Sequence, residues 1–187
     1  WEDPGRTPKL RDLHGGSSGG GRLISYNDRN GAGRRPQSMG MLAEGQSVAY
    51  ASDAGTPLIA DPGYRLVEAA REAGHQVHVA PGASAVLAAL SIAGLPTDRF
   101  LFEGFLPSRE QARINRLTEL ANTPVSLIFY EAPHRIAQSL VAMAQVFGGE
   151  REATLARELT KTFETIKRAP LDALAEFVAA ALNQQKG

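Results

Sequence analysis

The sequence predicts an α/β protein with a largely parallel sheet. Two observations carry the prediction. From residue 48 onward, short apolar or alternating runs take turns with stretches of helical length, the rhythm of β-α-β units. Junctions between them hold glycine and proline together, as in GTPLIADPG (55–63) and PGAS (81–84), which punctuate strand-to-helix turns. With 43% apolar residues in 187, the chain has material for one large core or two small ones.

The first 47 residues stand apart. GGSSGGG (15–21) has linker composition. WEDPGRTPKL (1–10) and GAGRRPQSMG (31–40) show little apolar periodicity. An irregular, Gly-rich segment is expected over 1–47. VAYAS (48–52) reads as a short strand. GYRLVEAAREAG (63–74) sets Leu66, Val67 and Ala70 on one helical face and closes on Gly74 as a C-cap. QVHVA (76–80) alternates as a strand does. PGASAVLAALSIAG (81–94) is a turn and then a helix of small residues. RFLFEGF (99–105) is a strand, and PSREQARINRLTELAN (107–122) a charged amphipathic helix with Ser108 as its N-cap. VSLIFYE (125–131) is an apolar strand, and PHRIAQSLVAMAQVFG (133–148) a helix with Pro133 near its start. EATLARELTK (152–161) opens as a strand, FETIKRA (163–169) is placed to pair beside it, and PLDALAEFVAAAL (170–182) is a helix. A boundary at GFLP (104–107) gives two α/β domains, 48–104 and 105–187.

The bulk numbers exclude several classes. Twenty basic and twenty acidic residues cancel, which argues against a protein that coats nucleic acid by charge alone. Cysteine is absent, so no disulfide framework, thiolate metal site or thiol nucleophile is available. His14, His75, His78 and His134 show no HExxH-like spacing, and no metal is expected. There is no GxxxxGK[ST], no GxGxxG and no GxSxG nucleophile elbow between a strand and a helix, which disfavours a kinase and a serine hydrolase. No apolar run approaches the roughly 20 residues of a membrane span, and no signal peptide is visible. A soluble cytoplasmic protein is expected. The chain opens on Trp1 and stops at Gly187 just past a helix, as a fragment would.

In open α/β sheets, ligands bind beyond the carboxyl ends of strands. The loops 52–63, 81–85 and 130–135 hold that position. In SDAGTPLIADPG (52–63), Gly55 and Gly63 allow backbone conformations or close approach that a side chain would block. Pro57 and Pro62 stiffen the loop. Asp53 and Asp61 can accept hydrogen bonds from amides or from a ligand. An Asp-rich turn capping the next helix is the plainer reading of Asp61-Pro62-Gly63, but a simple connection needs fewer residues than twelve. Gly82 and Ser84 stand at a helix start, where free amides suit a polar group or Ser84 is an ordinary N-cap. YEAPHR (130–135) and RELTK (157–161) place Glu131, Arg135, Arg157, Glu158 and Lys161 at strand ends, as functional groups or as solvated turns. Arg109, Arg113 and Arg116, spaced four and three apart, share one helical face. They form a phosphate-facing stripe or a solvated face shared with Glu110 and Glu119.

Taken in order, SDAGTPLIADPGYRLV, PGASA, GLPTDRFLFEGFLP, LIFYEAPHR and ARELTK resemble the small-subunit ribosomal RNA methyltransferases of the tetrapyrrole methylase family. The resemblance spans about residues 42–182. WEDPGRTPKLRDLHG and LISYND (23–28) are similar to the family's preceding segment, with Pro4 and Gly5 departing from its pattern. The family's first strand with its ATPIGNL-type loop, and its last strand, find no match. The resemblance implies two α/β domains, the first with a largely parallel and the second with a mixed sheet, and S-adenosylmethionine in the cleft between them. It implies a homodimer acting on 16S rRNA in the small ribosomal subunit, by methyl transfer to a cytidine ribose 2′-hydroxyl. Asp53, Ala54, Gly55, Thr56, Pro57, Asp61, Pro62, Gly63, Pro81, Gly82, Ser84 and Tyr130 would then line the cofactor site. Glu131, Glu158 and Lys161 are candidates for the base that such a weak nucleophile needs. Arg109, Arg113, Arg116, Arg135 and Arg157 are candidates for holding RNA phosphate. Two alternatives stand beside this: a tetrapyrrole C-methyltransferase of the same fold, and an inactive RNA-binding fragment.

Overall fold

A computed structural model describes residues 24–27, 30–52 and 54–184. The chain separates into two compact units, Trp1–Ser84 and Ala85–Gly187, a division upstream of the 104/105 boundary read from the sequence. The helix and strand that follow residue 84 group with the second unit.

The first unit is helical in its regular structure. Helix α1 (Gly31–Ala43) lies inside the segment expected to be irregular. Its start is fixed by two asparagines: the Asn27 amide donates to Asn30 Oδ1 at 2.8 Å, and the Asn30 amide to Asn27 Oδ1 at 3.1 Å. Tyr26 is buried and sits so close to Gly31 that a Cβ there would lie 3.2 Å from the ring. The helix therefore buries small residues, Gly31 and Ser38, and apolar periodicity is a poor guide to it. Helix α2 (Tyr64–Glu72) buries Leu66 and Ala70, and Gly74 follows it at φ +81, as the sequence predicts. The strands expected at 48–52 and 76–80 carry no ladder among the described residues. A strand exists by exchanging bonds with a neighbour, and neither run meets one here. Val77 and Val79 are left exposed.

The second unit begins with helix α3 (Ala85–Ile92). Strand β1 (Phe100–Phe105), helix α4 (Glu110–Leu120) and strand β2 (Ser126–Tyr130) form one β-α-β unit with a parallel ladder, as crossover connections require. The register slips between Phe102 and Gly104, and Gly104 sits at φ +73, the form of a glycine bulge. Helix α5 (Ile136–Phe147) follows. Strands β3 (Glu152–Arg157) and β4 (Thr165–Pro170) make an antiparallel hairpin, and helix α6 (Leu171–Gln184) ends the described chain. Leu106, Leu117, Leu140, Ala142, Met143, Leu171, Leu174 and Val178 form its core. The parallel and the antiparallel pairs both belong to this unit; β1 lies almost wholly in the stretch 48–104 read from the sequence as the first domain, and β2 beyond it.

Helix α4 starts one residue later than expected. Its N-cap is Arg109, with no side-chain capping bond, rather than Ser108.

Candidate functional site

The loop 54–63 is braced from within its own unit. Ser52 Oγ donates to Asp61 Oδ2 at 2.5 Å and accepts from the Ala54 amide at 3.2 Å. Tyr50 Oη donates to the Pro62 carbonyl at 2.6 Å, and its ring stands edge-on to Tyr26, centroids 5.8 Å apart. Thr56 Oγ1 donates to the Ala83 carbonyl at 3.0 Å. That bond joins 54–57 to 81–84, so two stretches that the sequence marked separately lie side by side. Gly55 takes φ +70 with the Ala83 carbonyl 3.4 Å from where a Cβ would stand, and Gly82 meets nothing nearer than Thr56 Oγ1 at 4.0 Å. Asp61, Pro62 and Gly63 are bracing residues; Ala54, Gly55, Thr56, Pro57, Pro81, Gly82 and Ser84 form a mainly backbone-faced rim. Asp53 lies outside the described residues. Tyr50 and Ser52, which hold the loop, were read in the sequence only as parts of a strand.

Non-glycine residues with left-handed backbones are rare and concentrate where structure serves function. Among the described residues they are Leu58, Ala60, Glu158 and Thr160. All four fall in two of the loops singled out from the sequence, 52–63 and 157–161.

At the carboxyl ends of β1 and β2 stands a buried clamp. The Glu131 side chain is 4% exposed. Its Oε2 accepts from Ser139 Oγ at 2.5 Å and its Oε1 from the Ala132 amide at 2.8 Å. Arg135 Nε lies 3.4 Å from Oε1. Arg135 Nη2 in turn donates to the carbonyls of Leu106 and Pro107, at 2.7 and 3.1 Å. The end of β1 is thereby tied to the end of β2. Both Glu131 oxygens are engaged within the clamp, and Arg135 directs its Nε and Nη2 inward. Ser139, fully buried, completes the clamp; its relation to a carboxylate eight residues upstream leaves no mark in the sequence pattern. Tyr130 stacks edge-on with Phe102 at 4.9 Å and leans on Phe105 at 5.6 Å.

The stripe on helix 107–122 is not what the structure presents. Arg113 is 4% exposed, on the same side as Leu117 and Leu120, which are also buried. Its Nη1 makes one long bond to the Ser108 carbonyl, 3.3 Å, and its Nε has no partner. Arg116 is held by Glu103, at 2.5 and 2.8 Å, and by Glu119 at 2.6 Å. Those hydrogen bonds, Glu103's first, keep it protonated beyond the ordinary arginine range. Arg109 alone of the three is exposed with no ionic partner. A buried cation with so little compensation is dispensable to the fold: Arg113→Met is expected to leave the urea midpoint unchanged or raise it. A loss above about 2 kcal/mol would mean that the guanidinium is paired in solution.

The hairpin loop 158–164 presents the remaining candidates. Arg157 is exposed, and Lys161 Nζ lies 3.2 Å from Glu158 Oε1, both groups well exposed. No cluster of histidine, aspartate and glutamate fit for a metal occurs among the described residues, and no described helix is long and apolar enough to cross a membrane.

Comparison with known proteins gives this arrangement a lineage. The ribosomal RNA small subunit methyltransferase I of Pseudomonas aeruginosa is 54% identical over 162 residues, covering 87% of this chain and 56% of the relative. Those of Vibrio cholerae and Xylella fastidiosa are 50% and 57% identical, covering 89% and 78% of this chain and 58% and 54% of the relatives. The chain spans about half the length of the curated relatives it matches. Among solved structures, the methyltransferase CobJ matches with a TM-score of 0.60 at 24% identity, covering 80% of this chain and 67% of that one, a likeness of fold. The family model of the tetrapyrrole (corrin/porphyrin) methylases matches residues 39–175, nearly the whole of the described chain beyond α1, and the protein belongs to that family.

Proposed function

We propose that the protein takes part in S-adenosylmethionine-dependent methylation of a cytidine ribose 2′-hydroxyl in 16S ribosomal RNA, as a homodimer in the cytoplasm. The observation that carries this reading is the 54% identity to a relative named for small-subunit ribosomal RNA methylation. A tetrapyrrole substrate has the family's description behind it, whereas the likeness to CobJ, at 24% identity, is one of fold.

The loops fit such a donor. S-adenosylmethionine, when bound, supplies an electrophilic methyl group on a sulfonium. It offers the protein hydroxyls, ring nitrogens and a zwitterionic tail, all readable by backbone amides and carbonyls. The paired stretches 54–57 and 81–84 offer such groups at Gly55 and Gly82, where no side chain covers the backbone. The bracing by Tyr50, Ser52 and Thr56 fixes the rim before ligand arrives, which lowers the ordering cost of binding. Positioning is the main demand of an in-line displacement. With the Glu131 carboxylate committed to the clamp, Glu158 remains as the proton acceptor for the ribose hydroxyl, with the Lys161 ammonium beside it. Arg109 and Arg157 remain as exposed cations for phosphate.

Calorimetric titration of the purified chain with S-adenosylmethionine, followed by methylation of small ribosomal subunits, tests the reading. Micromolar binding and methyl incorporation into 16S rRNA are expected. Binding with incorporation into a tetrapyrrole and none into RNA would replace the substrate. Absence of binding would leave the inactive RNA-binding fragment.

A further inference from the structure

Phe163 is an aromatic residue held out into solvent by a loop built to hold it there. Its exposure is 76%. Loop 158–164 closes the β3–β4 hairpin, whose last ladder pair is Arg157 and Thr165. The loop is internally bonded: the Lys161 amide donates to the Glu158 carbonyl at 3.0 Å, and the Glu164 amide to the Lys161 carbonyl at 3.2 Å. The Thr160 amide donates to Glu164 Oε2 at 2.6 Å. Glu158 and Thr160 take φ +52 and +65, conformations that non-glycine residues adopt at a cost, Thr160 most of all because it is β-branched. So the loop spends strain and bonds on a fixed shape whose tip buries nothing. A loop selected for stability alone would turn the phenyl ring inward or lack it.

The neighbours say what the ring is for. Arg157 is an exposed cation with no bond of its own. Lys161, 65% exposed, has only a surface contact with Glu158, the kind worth little in water and readily exchanged for phosphate. An exposed aromatic ring on a loop that also carries exposed cations matches a single-stranded nucleic acid, whose bases stack while its phosphates pair. We propose that Phe163 stacks on an unpaired base of the RNA substrate, with Arg157 and Lys161 on the flanking phosphates. The inference rests on the ribosomal RNA reading above and names the contact by which RNA is held.

Equilibrium binding to a 16S-derived RNA at several salt concentrations tests it, beside calorimetry with S-adenosylmethionine and sedimentation of each variant. Phe163→Ala is expected to weaken RNA binding roughly tenfold, with cofactor affinity, thermal midpoint and salt slope unchanged, because stacking releases no counterions. Phe163→Trp should restore the affinity. Arg157→Ala should lower the salt slope by about one phosphate. RNA binding by Phe163→Ala equal to that of the unaltered protein would overturn the proposal, as would a variant whose defect is loss of self-association. If the unaltered protein binds S-adenosylmethionine but no RNA, the substrate reading falls, and the stacking role falls with it. If it binds RNA and Phe163→Ala does so equally well, the stacking role falls alone.

Discussion

Gly63→Ala is expected to cost the first unit about 3 kcal/mol or more, the sum of a backbone and a packing penalty. Gly63 precedes α2 at φ +126, ψ −17, a region that L-residues reach only under strain. An added Cβ would stand 2.7 Å from Tyr50 Cε1, 3.0 Å from Cζ and 3.1 Å from Leu58 Cδ1. Neither neighbour can move freely. The Tyr50 ring is anchored at its hydroxyl by the Pro62 carbonyl and at its edge by Tyr26, and Leu58 already has a left-handed backbone. Hydrogen exchange over peptides in 46–74, with and without the substitution, measures the effect on this unit by itself. Protection should fall throughout α2 and the loop, and S-adenosylmethionine affinity should fall with it. Unchanged protection would mean that the loop is not braced as described.

The second large effect distinguishes a clamp from a base. Glu131→Ala removes the acceptor of Ser139, the Ala132 amide and Arg135 together, leaving a half-buried guanidinium with carbonyls alone. Breaking a buried pair from one side costs about 3–5 kcal/mol, so the variant should unfold at markedly lower urea. Glu131→Gln keeps an oxygen for Ser139 or the amide and should recover part of that stability. If Glu131 took the substrate proton, Gln would instead abolish turnover in a protein of undiminished stability. The expected pattern is the reverse: stability loss in both variants, larger for Ala, and residual methylation by Gln. Urea unfolding and single-turnover methylation on the same preparations decide between them.

Much of this was legible in the sequence. The helices with clear periodicity and a terminal glycine, 64–72 and 136–147, were found because period and cap agree. The loops 52–63, 81–85 and 130–135 stood out because glycine, proline and charge cluster there for reasons local to the backbone, although only the last follows a strand in the structure. What escaped has common physical causes. Helix α1 hid because the residues it buries, Gly31 against Tyr26 and Ser38, are small, and small residues carry no amphipathic signal. The runs 48–52 and 76–80 looked like strands because alternation is local, whereas a ladder depends on a partner elsewhere. Arg113 was grouped with Arg109 and Arg116 by charge. Its spacing of four and seven to Leu117 and Leu120, which share its buried side, carried the better signal. Glu131 stood out in the sequence as a carboxylate at a strand end, but its partners Ala132, Arg135 and Ser139 did not, since only a folded chain gathers them.

The bulge in β1 has a consequence for how this protein tolerates insertion and deletion. Glu103 has no opposite number on β2: Phe102 faces Ile128 and Gly104 faces Phe129. In a regular strand, losing one residue turns every later side chain to the wrong face. Here the loss of Glu103 would leave Gly104 and Phe105 opposite the partners they already have, and would free Gly104 from its left-handed backbone. The extra residue is thus surplus to the ladder and retained for its side chain, whose two oxygens hold Arg116 on the crossover helix. Chain length is negotiable at that one position of the strand, at the expense of a part-buried ion pair rather than of the apolar core.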